Sequence, residues 1–145
     1  MGVSDGLKKA WYRTFQEGLN IGARALYWRK PETVTGEGCA AQIPAIMKKE
    51  GVRRVMVVTG RHVGKSIAPG IIENLKNAGV DCVHFSEVEA NPSTTTVDKI
   101  VWMYRLNNCD GFLAIGGGSP IDAAKAAAAL VACPGRTLAQ MAGLF

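Results

Sequence analysis

Residues 111–125 read GFLAIGGGSPIDAAK, and the most informative pattern in the chain lies here. The apolar run 111–115 predicts a buried β-strand, and the alanine-rich segment after it predicts a helix. Ser119 is a good N-cap, Pro120 suits the first helical position, and Asp122 completes a capping box. The glycines Gly116, Gly117 and Gly118 allow positive φ and a close approach of the backbone to a ligand.

This strand–glycine–helix junction has two interpretations. Free N–H groups and the positive end of the helix dipole at a helix start form a ready site for a phosphate group. Alternatively, any tight strand-to-helix turn favours glycine and a capping residue. Three consecutive glycines exceed what a turn needs, and we therefore expect a phosphate at residues 116–122.

The rest of the chain alternates helices with short apolar strands. Helices are predicted over 39–49, 69–78 and 95–107, and strands over 55–59, 80–85 and 111–115. Continuously apolar strands that alternate with helices indicate parallel strands buried on both faces. The fold class is therefore α/β: a doubly wound, mainly parallel, Rossmann-like sheet. Ligands are expected beyond the carboxyl ends of the strands, where loops 59–65, 86–93 and 116–122 should meet.

The loop after the first strand is basic. It ends in Gly64-Lys65-Ser66, but only three residues separate Gly60 from Gly64, whereas a P-loop needs four. Residues 51–72 contain no Asp or Glu, while Arg61, His62 and Lys65 follow the strand. Because an acidic residue near such a strand end repels a 2′-phosphate, this loop would accept one. A solvated basic loop is the alternative.

The remaining polar candidates are few. Asn91-Pro92-Ser93 predicts a turn into a helix capped by Ser93 or Thr94, and Asn91 could bind a ligand at the strand ends. His84 is interpreted as a hydrogen-bonded core or edge residue. No nucleophile–base pair, paired carboxylates or metal cluster can be assembled, so neither catalytic nor metal-ligating residues are predicted.

Composition limits the class of protein. The 145 residues are 48% hydrophobic with a net charge of +5, typical of one soluble domain. No apolar run is long enough to span a membrane, no secretory signal is evident, and we expect a cytoplasmic location. Four cysteines without close spacing are expected to be reduced.

Residues 1–30 have six basic and two acidic side chains, a net charge of +4, and form a predicted amphipathic helical arm. The arm packs on the rest of the protein or docks on a membrane surface or a partner. The rest is nearly neutral, so nucleic acid binding is not expected.

The string from Gly116 to Lys125 resembles the GGGSxxDxAK signature of the iron-containing (group III) alcohol dehydrogenases. Other landmarks of that family follow the same order: the Gly36-x-Gly38 turn, the strand end at Thr59 and the Asn91-Pro92 turn. The similarity covers residues 31–145, which correspond to the family's N-terminal nucleotide-binding domain. Related glycerol dehydrogenases and dehydroquinate synthases share the core of the signature.

The resemblance implies an NAD(P)-dependent oxidation of an alcohol or reduction of an aldehyde, with iron or zinc polarising the alcohol oxygen. It assigns the pyrophosphate to Gly117, Gly118 and Ser119. It assigns the adenosine ribose to Asn91, and the loop or nicotinamide side to Asp122. Members selective for NAD commonly have Asp where this sequence has Gly60, so Gly60, Arg61 and His62 favour NADP over NAD.

The resemblance also sets expectations for the whole chain. Residues 1–30 are the arm and residues 31–145 the dinucleotide-binding domain. The sequence ends at Phe145, before the helical domain that carries the family's metal ligands. We therefore expect a nucleotide-binding half that is inactive alone and forms homo-oligomers. A stand-alone, non-catalytic nucleotide-binding or interaction module is the alternative.

Overall fold

The computed structural model describes residues 11–12 and 31–141. Gly36–Phe145 and Met1–Thr35 are two separate compact units. In the first, a 3-10 turn at Cys39–Gln42 precedes nine helices and strands. These are α1 (Ile43–Lys49), β1 (Arg54–Thr59), α2 (Arg61–Ser66), α3 (Ala68–Asn77), β2 (Asp81–Phe85), α4 (Thr94–Leu106), β3 (Gly111–Ile115), α5 (Gly118–Ala132) and α6 (Leu138–Met141). Trp11 and Tyr12 are helical and exposed, and the rest of the predicted arm lies outside the described residues.

The three strands form one parallel sheet in the order β2-β1-β3. The first crossover carries the chain to one side of β1 and the second carries it to the other. The register pairs Val58 with Phe85 and Thr59 with Ile115, so the carboxyl ends of all three strands lie at one edge. The predicted α/β class with a parallel, Rossmann-like sheet is confirmed.

The central strand separates two apolar cores because its side chains alternate between the faces of the sheet. Met56 and Val58 pack with residues of α4 and α5, while Val55 and Val57 pack with Leu75 of α3 and with residues of α1. All four side chains are fully buried. Burial on both faces was predicted for every strand, but it holds only for β1. Strands β2 and β3 are the edges of the described sheet, and most of their residues are half-buried.

The amino end of the sheet is fixed by one carboxylate. Asp110 accepts hydrogen bonds from the backbone N–H groups of Arg53 (3.1 Å) and Arg54 (2.9 Å). Its pKa is lowered: desolvation raises it, but the N–H groups of Arg54 and Arg53 and the charge of Arg53 outweigh that effect. The guanidinium of Arg54 also contacts the carboxylate of Asp81 at 2.9 Å. These bonds join the starts of β1, β2 and β3.

Candidate functional site

The candidate site lies beside the central strand β1, at the point where the strand order of the sheet reverses. Chain connections leave β1 toward β2 on one side and reach β3 on the other. In open α/β sheets, ligands bind at such a switch point, outside the carboxyl ends of the strands. Thr59 and Ile115 are register partners there, and each is followed directly by glycine. The switch point is therefore bordered by Gly60 and by the three glycines from Gly116.

The helix at this point begins earlier than the sequence predicts. Gly117 is the N-cap of α5, and no side chain forms a hydrogen bond to cap it. The predictions of Ser119 as N-cap and of a capping box with Asp122 are wrong, because Ser119 already lies within the helix. The chain turns earlier, at Gly116, whose φ of 141° is open only to glycine.

The early start leaves backbone donors exposed at the switch point. The first four N–H positions of a helix have no partner within it, and here they belong to residues 117–120. Proline has no N–H, so Gly117, Gly118 and Ser119 provide the donors, which no side chain caps. The positive end of the dipole of this helix adds to their attraction for an anion.

The space in front of these donors is open. A Cβ atom added to Gly117 would have no heavy atom within 4 Å, and one on Gly118 would meet only a carboxylate oxygen of Asp122 at 3.9 Å. Gly116 differs, since its Cβ would lie 3.0 Å from Pro120. Only the first glycine is thus required by the fold. The other two, Gly117 and Gly118, form an open glycine cradle at the helix N-terminus that side chains would fill, and such a position suits an anionic group.

The segment after β1 is a helix rather than the predicted loop. Gly60 is the N-cap of α2, which starts at Arg61, and the N–H of Gly64 donates to the carbonyl of Gly60 at 2.8 Å. This intrahelical bond is incompatible with a phosphate-cradling P-loop. Arg61, His62 and Lys65 are exposed, and they follow the carboxyl end of β1.

Behind these exposed side chains, α2 packs closely against a polar pair. The Thr59 hydroxyl and His84 Nε2 are 2.9 Å apart, and Thr59 is fully buried. Burial lowers the pKa of His84, which favours its neutral form. The prediction that His84 is a hydrogen-bonded residue is confirmed. A Cβ on Gly64 would lie 2.8 Å from both Ser86 Cβ and Thr59 Oγ1, so α2 approaches the strand ends only because residue 64 is glycine.

The loop after β2 carries Asn91, which is exposed and has a φ of 55°. Ser93 is the N-cap of α4, as predicted, and its hydroxyl accepts the N–H of Thr96 at 3.2 Å. Glu89 accepts hydrogen bonds from the N–H and the hydroxyl of Ser93, both at 2.9 Å. It also accepts one from the Thr96 hydroxyl at 2.7 Å.

These bonds lower the pKa of Glu89 to about 2, the Ser93 N–H having the largest effect and the Thr96 hydroxyl the next. No sequence pattern predicted a role for this carboxylate. Its only signal was an acid upstream of a Ser-Thr-rich helix start.

The predicted site residues thus fall in two groups. Gly60 and the glycines Gly117 and Gly118 border the switch point, with Ser119 and Asp122 in the first turns of α5. Asn91 lies in the next loop along the edge, and this loop is joined to the β1 end because the N–H of Val88 donates to the carbonyl of Thr59 at 3.2 Å.

Neither a metal centre nor a membrane span is found in the part of the chain that the structure describes. Residues 11–12 and 31–141 contain no group of three or more His, Cys, Asp or Glu side chains that could hold a metal ion. No helix among them is both long and apolar enough to cross a bilayer. All four cysteines are free, as predicted.

Comparison with known families decides which fold family carries this site. A model of the family described as "Iron-containing alcohol dehydrogenase" matches residues 31–143. The chain belongs to the iron-containing alcohol dehydrogenases. The matched range includes the glycine cradle, the basic helix α2 and the Asn91 loop, so the predicted resemblance is confirmed.

Two relatives illustrate the similarity within this family. The chain is 35% identical over 113 residues to the methanol:N,N-dimethyl-4-nitrosoaniline oxidoreductase of Amycolatopsis methanolica, covering 78% of this chain and 26% of that protein. It is 30% identical over 107 residues to the NAD-dependent methanol dehydrogenase of Bacillus methanolicus, covering 73% and 28% respectively.

A solved structure shares the fold. The sulfoacetaldehyde reductase of Bifidobacterium kashiwanohense, solved in complex with NAD⁺, superposes with a TM-score of 0.68 at 29% identity, covering 82% of this chain and 32% of the other. The chain therefore spans about a quarter to a third of the length of the iron-containing alcohol dehydrogenases that it matches.

Proposed function

We propose that this chain binds a nicotinamide dinucleotide and forms the nucleotide-binding part of an NAD(P)-dependent dehydrogenase of alcohols and aldehydes. The observation that carries the proposal is the uncapped N-terminus of α5, which faces open space at the switch point of the sheet. Family membership supports the choice of ligand, since relatives are named for NAD or were solved with NAD⁺.

Each site residue has a role in this proposal. The N–H groups of Gly117, Gly118 and Ser119 donate to the pyrophosphate, and the helix dipole stabilises its charge. Asn91 binds the adenosine ribose. Asp122, which lies in the first turns of α5, helps to fix the glycine loop or the nicotinamide side of the ligand. A bound nicotinamide supplies the hydride acceptor for alcohol oxidation.

Gly117→Val tests the cradle. The valine side chain would occupy the open space in front of the donors without touching the fold, so NADH binding should weaken by about 100-fold or more, ~2.7 kcal/mol. NADH titration followed by calorimetry measures the change, and thermal unfolding checks that the variant folds.

Ala132→Val is the matched control for that variant, since residue 132 is exposed at the opposite end of α5. We expect it to bind NADH like the wild type. Equal NADH affinity in Gly117→Val and in the wild type would refute the cradle.

The choice between the two dinucleotides is a finer proposal. Residues 60–72, directly after β1, contain no Asp or Glu, and the side chains of Arg61, His62 and Lys65 in this segment are exposed. Charge-assisted hydrogen bonds from them would favour a 2′-phosphate, and we propose that NADPH binds about tenfold more tightly than NADH. Two relatives are instead named for NAD or were solved with NAD⁺. The decisive measurement is therefore the ratio of the NADPH affinity to the NADH affinity of this chain.

Gly60→Asp should reverse or flatten this ratio, because a carboxylate would repel the 2′-phosphate. A Cβ at residue 60 would lie 3.3 Å from the carbonyl oxygen of Val88, so any side chain there displaces the backbone slightly. Gly60→Ala introduces the same contact without charge and is the control. An NADH preference in the wild type, or equal ratios in both variants, would contradict the proposal.

The metal step lies outside what the described residues support. They do not fit iron or zinc, because they contain no group of three or more His, Cys, Asp or Glu side chains that could hold a metal ion. We propose that the 145-residue chain binds dinucleotide but does not oxidise alcohol by itself. Alcohol-dependent NAD(P)H formation above background, or stoichiometric iron or zinc in purified protein, would contradict this.

A further inference from the structure

The loop between β2 and α4 is held at two points, on either side of Asn91. Before Asn91, the N–H of Val88 donates to the carbonyl of Thr59, which joins the loop to the end of β1. Around Asn91, the carboxylate of Glu89 accepts bonds from Ser93 and Thr96, which joins the loop to α4. Asn91 itself has no bond to the body of the protein among those that the structure describes.

The geometry at Asn91 is one that such support stabilises. Its φ of 55° lies in the left-handed region, which asparagine adopts more readily than most residues but which is still less favourable than the right-handed region. The Glu89 bonds span four residues to Ser93 and seven to Thr96, so they close the loop around this conformation. The Thr96 end is firm, because that side chain is almost completely buried.

We infer that Glu89 is a positioning residue for the dinucleotide site: it holds the 89–93 turn closed so that the Asn91 amide faces the ligand. The inference rests on the proposed function and deepens it, since no contact between Glu89 and the ligand is involved. A site group held in place before binding loses less entropy when the ligand arrives.

A second carboxylate on the same loop offers a matched control. Glu87 is exposed, as Glu89 is, but forms no hydrogen bond that the structure describes. Asp110 controls for stability, because it also accepts two backbone N–H groups but lies at the amino edge of the sheet. Asp110→Asn should therefore lower the melting temperature without changing NADH affinity.

The experiment titrates NADH against the wild type, Glu89→Gln, Glu87→Gln and Asp110→Asn of the full chain. We expect Glu89→Gln to weaken NADH binding by about fivefold to tenfold and the other two to leave it unchanged. Thr96→Val removes one donor while keeping the shape of the side chain. It should weaken binding in the same direction and serves if Glu89→Gln fails to fold.

A double-mutant cycle separates positioning from a general structural effect. Asn91→Gly removes the amide, and glycine tolerates the positive φ. If Glu89 acts through Asn91, Glu89→Gln should cause no further loss of NADH affinity in the Asn91→Gly background. An additive loss would mean that Glu89 acts only through stability and would overturn the inference.

The remaining outcomes are also decisive. Wild-type affinity in both Glu89→Gln and Thr96→Val would overturn the inference but leave the proposed function standing. Absence of NADH and NADPH binding in the wild type would overturn the proposed function and the inference with it.

Discussion

Gly64 shows how one residue fixes the approach of α2 to the sheet. Its hydrogen atom lies where a Cβ would contact Ser86 and Thr59, both at 2.8 Å. Thr59 cannot move aside easily, since it is fully buried and lies 2.9 Å from His84 Nε2. The polar pair and the glycine together set the position of Arg61 and His62 beside the carboxyl end of β1.

Gly64→Ala should therefore destabilise the protein by about 1–3 kcal/mol, the cost of forcing an extra methyl group into a packed contact. Urea denaturation measures the free energy of unfolding. Gly70→Ala is the control, because a Cβ there meets nothing within 4 Å and residue 70 lies inside α3. In that helix, alanine should stabilise by roughly 0.5–1 kcal/mol. Equal effects of the two substitutions on the free energy of unfolding would show that the close packing at Gly64 does not restrict the side chain at that position.

At the scale of elements, local sequence predicted the three strands and the longer helices, but it did not predict the short helix α2, where a loop was expected. The apolar run 111–115 and the glycines after it predict β3 and the start of a helix because burial and glycine freedom are local properties. The N-cap was mispredicted, since Ser119 is the better cap by residue type. The conformation of Gly116 starts the helix at Gly118 instead.

Contacts that depend on how the chain turns or how the strands pair could not be predicted from local sequence. Glu89 and Thr96 bond only because the chain turns between them, and Thr59 meets His84 only once β1 and β2 are paired. The glycine cradle could be located from sequence, whereas the support beneath Asn91 could not.

The amino edge of the sheet offers a comparison between two carboxylates. Asp110 accepts hydrogen bonds from the backbone N–H groups at the start of β1, whereas Asp81 forms an ion pair with Arg54 whose side chains are 69% and 43% exposed respectively. Asp110→Ala should cost on the order of 1 kcal/mol after solvent screening, because two N–H groups lose their acceptor. Asp81→Ala should cost less than about 0.5 kcal/mol. A larger loss for Asp81→Ala in urea denaturation would refute this ranking.

At the scale of the whole molecule, the outer face of α4 bears the most exposed large apolar side chains among the described residues 36–141. Trp102 and Leu106 are 63% and 61% exposed, and they lie one helical turn apart on the same face. A surface depression of about 540 Å³ lies beside them, lined also by Asp98, Val101 and Arg105. Contiguous apolar surface of this kind favours association.

We therefore predict that the chain self-associates as its concentration rises, and that this face contributes. Light scattering should give a mass above the 15.4 kDa of one chain. The double variant Trp102→Gln/Leu106→Gln should bring the mass toward that value, because polar side chains remove the gain from burying the face. Ile67→Gln is the control, since Ile67 is 55% exposed but lies outside α4. A wild-type monomer at high concentration would refute self-association, and an unchanged mass in the double variant would mean that another surface drives it.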